Sequence, residues 1–317
     1  RAGVFRGFPG LAVPEPGADS RGETSGAGHM DQDLTHIANA RLRVAVAALG
    51  AETRAIRDAR GRDYLWHGDA AFWAGRAPIL FPIVGRAPGD RIAAGAHEAE
   101  MKQHGFARRS RFELVEAGAD FCRHRLRDSA ETRAAYPFAF SLEVSHRLVG
   151  AALEVAAQVE NEGVETMPFG LGFHPAFRWP LPGATGLHVI ELDNGAEPAL
   201  ARLEGGLLGN HRYPSPFRQG WLALDPALFT ADAMIFPEGA GQGLRYGAET
   251  GPSLRLGFDG LPNLALWSKP GAGFICIEPW HGMAARQGAG GEIAERPCTV
   301  LLPPGQARRF AYTVSLG

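Results

Sequence analysis

The sequence predicts a large antiparallel all-β sandwich. From Leu34 onward, short runs of alternating apolar and polar residues recur between turn signals, while helical periodicity is scarce. The 42 glycines and 23 prolines follow no Gly-X-Y period, so they indicate many turns. With 317 residues, of which 45% are hydrophobic, the chain is long enough to build one such sandwich around a sizeable core.

The N-terminal segment differs from the rest of the chain in composition. Arg1 to Met30 are rich in Gly, Ala, Pro and charge without periodicity, which is typical of disorder, and they lack the apolar run of a signal peptide. Met30 precedes the first patterned segment, so we interpret the residues before it as disordered or as an artefact of a vector or of upstream translation. The predicted organisation is an N-terminal extension over residues 1–33 and a single domain over residues 34–317.

The elements of the domain follow from its alternating runs. Residues 42–46 form the first clear strand, and residues 70–74 are predicted as a short helix. Two hairpins are predicted from pairs of runs around Gly-containing turns: residues 111–116 with 121–127, and residues 142–148 with 153–159. Later strands are predicted at residues 187–192, 254–258, 264–267, 274–277, 299–302 and 309–314.

Composition excludes several classes of partner. The formal net charge of −2 provides no global field for nucleic acid or for an acidic membrane surface, and no apolar stretch reaches membrane-spanning length. Cys122, Cys276 and Cys298 are odd in number, widely spaced and placed in apolar runs, so buried free thiols in a reducing, cytoplasmic compartment are expected. Neither a cofactor nor a metal ion is predicted.

Three polar residues stand in apolar, aromatic, Gly- and Pro-rich surroundings: His104, His174 and Glu278. Buried polar groups cost free energy unless they are paired or used, and a carboxylate with two imidazoles suits a reaction that only moves protons. On a period of two, Glu278 shares a strand face with Phe274 and Cys276, where desolvation raises a carboxyl pKa toward that of a general base. A salt-bridged strand end and core histidines satisfied by the backbone remain open as alternatives.

Other charged residues carry weaker signals. Arg86 follows a buried apolar run, where it can bind substrate hydroxyls or pair with a nearby acid. Two arginine clusters can bind phosphate, although solvated strand faces are the favoured interpretation: Arg108, Arg109 and Arg111, and Arg123, Arg125 and Arg127. Surface or packing roles are expected for His124, His146 and His188. Two histidines and a glutamate can form a facial metal triad, but their dispersal and the absence of a local His pair argue against one.

Six sequence pieces together resemble the aldose 1-epimerase (galactose mutarotase) family. They run in family order: APILFPIVGR (77–86), QHGFAR (103–108), GFHPAF (172–177), DAMIF (232–236), LWSK (266–269) and IEPW (277–280). The resemblance implies a galactose mutarotase-like β-supersandwich, interconversion of the α and β anomers of a free aldose, a monosaccharide as partner, and a monomer or homodimer. This sequence has Gly105-Phe106 and Phe173 where galactose mutarotases carry Gly-Gly and Asn, which leaves the sugar open.

The resemblance also implies site roles. Glu278 and His174 fall on the catalytic base and acid, His104 on a second active-site histidine, and Arg86 and Asp232 on substrate-binding positions. Phe173, Trp267 or Trp280 can stack on the apolar face of a sugar. We expect an ionised Glu278 to take the C1 hydroxyl proton while a charged His174 protonates the ring oxygen. Alternatives are a hexose 6-phosphate mutarotase that uses an arginine cluster and a non-catalytic sugar-binding protein; a glycoside hydrolase is disfavoured because only one carboxylate is well placed.

Overall fold

Antiparallel β-sheets dominate the regular structure of the described residues, as the alternating runs predicted. The structure, a computed structural model, describes residues 33–317. The extension predicted for residues 1–33 therefore lies, apart from Asp33, outside the described residues. Within the described range no helix has the length and apolar character needed to cross a membrane.

The larger sheet has nine strands, and all neighbouring strands are antiparallel. Its spatial order is β17 (Trp221–Ala223), β14 (Thr185–Leu192), β19 (Gly243–Thr250), β20 (Ser253–Asp259), β24 (Ala307–Leu316), β10 (Ala152–Asn161), β9 (Phe140–Val149), β8 (Phe121–Arg127) and β7 (Glu113–Ala117). Both predicted hairpins are confirmed, because β7 pairs with β8 and β9 with β10. Short turns thus join strands that are adjacent in the sheet.

The second sheet has six strands and carries the residues of interest. Its order is β18 (Met234–Phe236), β21 (Asn263–Trp267), β22 (Phe274–His281), β12 (Leu171–Phe173) and β4 (Ile79–Leu80), and β13 (Ala176–Arg178) also pairs with β22. The smaller sheets are formed by β1 (Leu34–Ala38), β2 (Leu42–Ala47) and β3 (Thr53–Asp58), by β5 (Arg91–Ala94) and β6 (His97–Glu100), by β11 (Met167–Phe169) and β23 (Val300–Leu302), and by β15 (Leu203–Glu204) and β16 (Leu207–Leu208).

Helical structure in residues 33–317 is short. The α-helix α1 (Ala130–Ala135) begins at a capping box in which Ser129 and Thr132 exchange side-chain and backbone hydrogen bonds. Short 3₁₀ helices are formed by Pro88–Asp90, Ala107–Arg109, Pro226–Phe229 and Ile293–Glu295. The helix predicted at residues 70–74 was wrong: the Asp69 side chain accepts a hydrogen bond from Ala71 N–H and forms a turn, which competes with helix nucleation in so short a segment.

Alternation along β22 separates the core from the outer face of its sheet. Ile275 and Ile277 belong to the main hydrophobic core, whereas Phe274 and Cys276 belong to a separate cluster with Trp66. Glu278 continues the second face by the two-residue period. A polar side chain is thereby placed on the side of the sheet that faces away from the main core. All three cysteines are free as predicted, although Cys298 is only half-buried.

Candidate active site

A cavity of about 330 Å³ lies on this outer face of the six-stranded sheet. Its size lies at the lower end of the range of ligand-binding pockets. Six of the eight predicted site residues line it: His104, His174, Asp232, Trp267, Glu278 and Trp280. The structure thus brings together residues that are separated by up to 176 positions in the chain, from His104 to Trp280.

Strand register sets His174 opposite Glu278. On the shared edge of β22, Gly172 pairs with Trp280 and Ala176 pairs with Cys276. His174 lies midway between Gly172 and Ala176, and Glu278 lies midway between Cys276 and Trp280, so the same register places His174 opposite Glu278. Residues opposite each other across an antiparallel pair project to the same face, where their side chains meet. The His174 Nε2 atom is accordingly 3.1 Å from Glu278 Oε2.

Burial controls the charge of both groups. The Glu278 side chain is 2% exposed, and desolvation, reinforced by the negative charge of Asp232, holds the pKa of its carboxyl well above its usual value. Desolvation, with a smaller contribution from the positive charge of Arg108, lowers the pKa of His174 to about 3. His174 N–H donates to the Pro78 carbonyl oxygen at 3.1 Å, which holds the backbone beside the cavity.

Burial opposes the charged forms that were expected for these two groups. An ionised Glu278 beside a charged His174 was expected, but their 3.1 Å contact lacks hydrogen-bond geometry, and Glu278 Oε2 has no other hydrogen-bond partner in the described chain. Attraction within a buried ion pair offsets desolvation only when the geometry is good. Burial therefore favours the neutral carboxylic acid and the neutral imidazole of these two groups, hereafter the proton-sharing pair, which in that form hold one ionisable proton between them.

His104 is held in one tautomer by the backbone of Gly85. The Gly85 N–H donates to His104 Nδ1 at 3.1 Å, and His104 N–H donates back to the Gly85 carbonyl at 2.9 Å. Because Nδ1 is an acceptor and burial holds the His104 pKa well below 6.5, the ring is neutral and carries its proton on Nε2. The Gln103 amide nitrogen stands 3.3 Å from Nε2, and a half-turn of that amide presents the oxygen that can accept this proton.

The backbone at His104 has little freedom. Its φ is +67°, and Gly105 follows with φ +70°. A Cβ atom at Gly105 would lie 2.1 Å from the Phe81 carbonyl oxygen, so only glycine fits between His104 and the neighbouring chain. Left-handed backbone at a non-glycine residue is uncommon, and it is found where surrounding structure enforces it at a functional site.

Two predicted substrate-binding residues lie outside the cavity. Arg86 points to solvent and donates two hydrogen bonds of 2.7 Å to Asp90, so it forms the ion pair that was the alternative expectation. Phe173 faces the core, where its ring packs 5.0 Å from that of Tyr312. Alternation along β12 explains this, because Gly172 is the residue that faces Trp280 on the cavity side.

Trp73 and Arg108 also line the cavity, although neither was among the eight predicted site residues. Trp73, in the segment predicted as a helix, stacks on His174 with ring centroids 4.8 Å apart. Arg108 was expected on a solvated strand face, but it lies in a 3₁₀ helix and lines the cavity. The sequence signal for Arg108 was its position in the QHGFAR piece, four residues after His104. No feature of the neighbouring sequence indicated that Trp73 would line the cavity.

Two buried groups have the donor atoms of a metal site. One ligand atom from each of His174, Cys276 and Glu278 lies within 4.8 Å of the others, and the same holds for Cys122, His124 and His146. The second group lies in the core, where His146 Nε2 is 3.0 Å from Thr53 Oγ1. Surface or packing roles were expected for His124, His146 and His188. All three are buried, so they have packing roles.

Comparisons with known proteins agree with the fold. The sequence profile of the aldose 1-epimerase family matches residues 33–197. The plasmid-encoded protein LacX of Lactococcus lactis subsp. lactis is 30% identical over 293 residues, which cover 88% of this chain and 98% of LacX. A galactose mutarotase related enzyme from Lactobacillus acidophilus superposes with a TM-score of 0.84 at 28% identity, covering 90% of this chain and 97% of that one. A galactose mutarotase-like protein from Lactobacillus casei superposes with a TM-score of 0.84 at 27% sequence identity, and the match covers 90% of this chain and 100% of that one.

Proposed function

This chain belongs to the aldose 1-epimerase family, and we propose that it acts as a mutarotase that interconverts the α and β anomers of a cyclic aldose. The observation that carries the proposal is the 3.1 Å separation of His174 Nε2 and Glu278 Oε2 in the wall of the cavity. The C1 hydroxyl oxygen and the ring oxygen of an aldose are bonded to one carbon. An acid and a base that serve both oxygens must therefore be close neighbours, as these two groups are.

Ring opening uses the charged form of the proton-sharing pair. The Glu278 carboxylate takes the proton from the C1 hydroxyl while the His174 imidazolium gives its proton to the ring oxygen, and the bond from C1 to the ring oxygen breaks. This leaves an open-chain aldehyde, a neutral Glu278 and a neutral His174. Rotation about C1–C2 then presents the other face of the aldehyde. In closure His174 takes the proton of the former ring hydroxyl as that oxygen attacks C1, and Glu278 returns its proton to the C1 oxygen.

Net charge stays constant through these steps. The pair holds one ionisable proton before opening, in the open-chain state and after closure. Burial of the two groups favours the neutral form, which is the form present with the open-chain sugar, and so stabilises the intermediate of the reaction. Moving protons between adjacent groups avoids placing a net charge on buried side chains.

The other cavity residues fit supporting roles. The Nε2–H of His104 can donate to a sugar oxygen on which negative charge develops, because Nδ1 is already used by Gly85. Trp267 and Trp280 offer indole surfaces for the apolar face of the ring. Asp232, an exposed residue of the cavity wall with φ +62°, can accept hydrogen bonds from sugar hydroxyls.

The test is polarimetry on pure α anomers of glucose, galactose, xylose and arabinose, with an enzyme-free blank. Glu278→Gln should lower kcat by about 10²–10⁴-fold, the usual contribution of a general base. The exposed Glu295→Gln serves as the matched control and should leave the rate unchanged. Near-normal turnover by Glu278→Gln would remove Glu278 from the mechanism. Sugar affinity without acceleration of any sugar would instead support a binding protein on this fold.

A further inference from the structure

Trp73 lines the cavity and stacks on His174, and we propose that it is the positioning residue for this proton donor. It holds the plane of the His174 ring in place of a hydrogen bond that the ring lacks, and it stabilises the imidazolium form that ring opening requires. This inference rests on the proposed mutarotase function and names a residue that acts through His174.

His174 lacks the hydrogen bond that usually orients a catalytic imidazole. A working histidine commonly donates from one ring nitrogen to a carbonyl or a carboxylate, which fixes the tautomer and the ring plane. The His174 Nδ1 atom is buried and, apart from a contact with the backbone of its own residue, has no hydrogen-bond partner in residues 33–317. At the other ring nitrogen, the 3.1 Å contact with Glu278 lacks hydrogen-bond geometry. Packing must therefore set the plane of the ring.

Trp73 covers one face of the His174 ring. The indole and the imidazole are stacked, with centroids 4.8 Å apart and an angle of 28° between the ring planes. The contacts of His174 with Trp267 and His104 are edge to face instead, with interplanar angles of 83° and 84°. Because the indole occupies the space beside one face of the imidazole, the imidazole cannot tilt toward that side.

Trp73 is itself held in place by the loop that carries it. Its backbone N–H donates to the Asp69 carbonyl at 2.8 Å, and its carbonyl accepts the Nε1–H of Trp66 at 2.8 Å. The indole lies against Gly75, where an added Cβ would be 2.5 Å from Trp73 Cζ2, so a larger residue there would compete with the indole for space. The turn at Asp69 therefore presents a fixed aromatic surface to His174.

The stack becomes stronger when His174 is charged. The face of an indole carries negative potential and attracts a cation placed over it, most strongly where both are removed from water. Burial opposes the imidazolium form of His174, and its Nδ1 atom finds no hydrogen-bond acceptor in another described residue. Trp73 thus offsets part of the cost of the state in which His174 gives its proton to the ring oxygen.

The first experiment measures kcat and KM separately, by polarimetry, for the aldose that wild type interconverts fastest. Trp73→Leu removes the ring, and kcat should fall by roughly 10–100-fold with little change in KM, the range that a lost cation–π contact and a misplaced catalytic group together give. Trp73→Phe keeps a ring that can stack and should restore most of kcat. The exposed Trp221→Leu is the matched control and should have the kcat of wild type.

A second variant displaces the indole without removing it. Gly75→Ala places a methyl group 2.5 Å from Trp73 Cζ2, so the indole must shift and kcat should fall. Gly290→Ala is its control, because no described atom beyond the chain neighbours lies within 4 Å of the added methyl. Ring position is followed independently of activity by NMR of the carbon-bound ring protons of His174. The stacked indole shields these protons, so their signals should move downfield in Trp73→Leu and in Gly75→Ala.

The outcomes separate the two proposals. Acceleration by wild type with an equal kcat in Trp73→Leu would overturn the positioning role and leave the mutarotase function intact. A rise in KM alone would also overturn it, because Trp73 would then be a surface on which the sugar stacks. Unchanged His174 signals in both variants would show that the two rings are not stacked in solution. No acceleration of any sugar by wild type would contradict the proposed function itself.

Discussion

Buried histidines should make the stability of the folded protein sensitive to acid. The contribution of a single histidine, His146, to this sensitivity can be measured on its own. It lies outside the active site, is fully buried and faces Thr53 in the core. Desolvation, with a smaller contribution from the charge of His124, lowers its pKa from 6.5 to about 3. The unfolded chain then binds a proton at His146 below pH 6.5 while the folded protein does not. The free energy of unfolding must therefore fall as the pH decreases from 6.5 toward 3.

The magnitude follows from these two pKa values. At pH 5 the unfolded state is favoured through His146 by about 2 kcal/mol, since each pH unit below 6.5 contributes about 1.4 kcal/mol. Wild type should thus lose about 2 kcal/mol between pH 7.5 and pH 5 through His146, a sizeable fraction of the stability of an ordinary domain.

The assay is urea unfolding at pH 7.5 and pH 5 for wild type, His146→Gln and the exposed His211→Gln. The His146 variant is expected to be less stable at pH 7.5, because it disturbs the contact with Thr53. The decisive quantity is the loss of stability between the two pH values, which should be about 2 kcal/mol smaller in His146→Gln than in wild type and unchanged in His211→Gln. An equal loss in all three proteins would refute the assignment of acid sensitivity to His146.

Three further predictions concern the active site. The pH profile of kcat/KM should show no decline near pH 6.5. The proton-sharing pair keeps its single proton until the pH falls toward the His174 pKa of about 3 or rises above the raised pKa of the Glu278 carboxyl. A loss of kcat/KM on acidification through pH 6–7 would contradict this. Gly172→Ala would place a Cβ 2.5 Å from Trp280 Cδ1, so KM should rise and tryptophan fluorescence should change while far-UV circular dichroism stays constant. Arg296 donates a hydrogen bond to the Val84 carbonyl, next to Gly85, whose N–H group binds His104 Nδ1. Arg296→Met removes this donor, so kcat should fall by about tenfold, and Arg296→Lys should restore part of it. Unchanged kcat would show that the position of His104 does not depend on Arg296.

The strands and one face of the site were predictable from local pattern. Residues 121–127 and 142–148 alternate clearly, and they form β8 and the centre of β9 because alternation is what a half-buried strand requires. The same two-residue period is sufficient to place Glu278 on one strand face with Cys276. Such features depend on neighbours within a few residues, so a single sequence contains the information for them.

Other features depended on distant parts of the chain. The strand β12 has only three residues, too few to show which face Phe173 takes, and its register against β22 sets His174 opposite Glu278. Whether an arginine at a strand end points into a cavity depends on which acid lies nearby, and here Asp90 holds Arg86 outside while Arg108 lines the cavity.

The sequence by itself therefore determined the strand pattern, the hairpins and the residue types available for proton transfer. Only the tertiary structure decided which of those residues meet, which arginine lines the cavity, and that burial opposes charge on the proton-sharing pair. The physical reason is range: alternation and turn formation act between neighbours in the chain, whereas register and desolvation arise from segments more than a hundred residues apart.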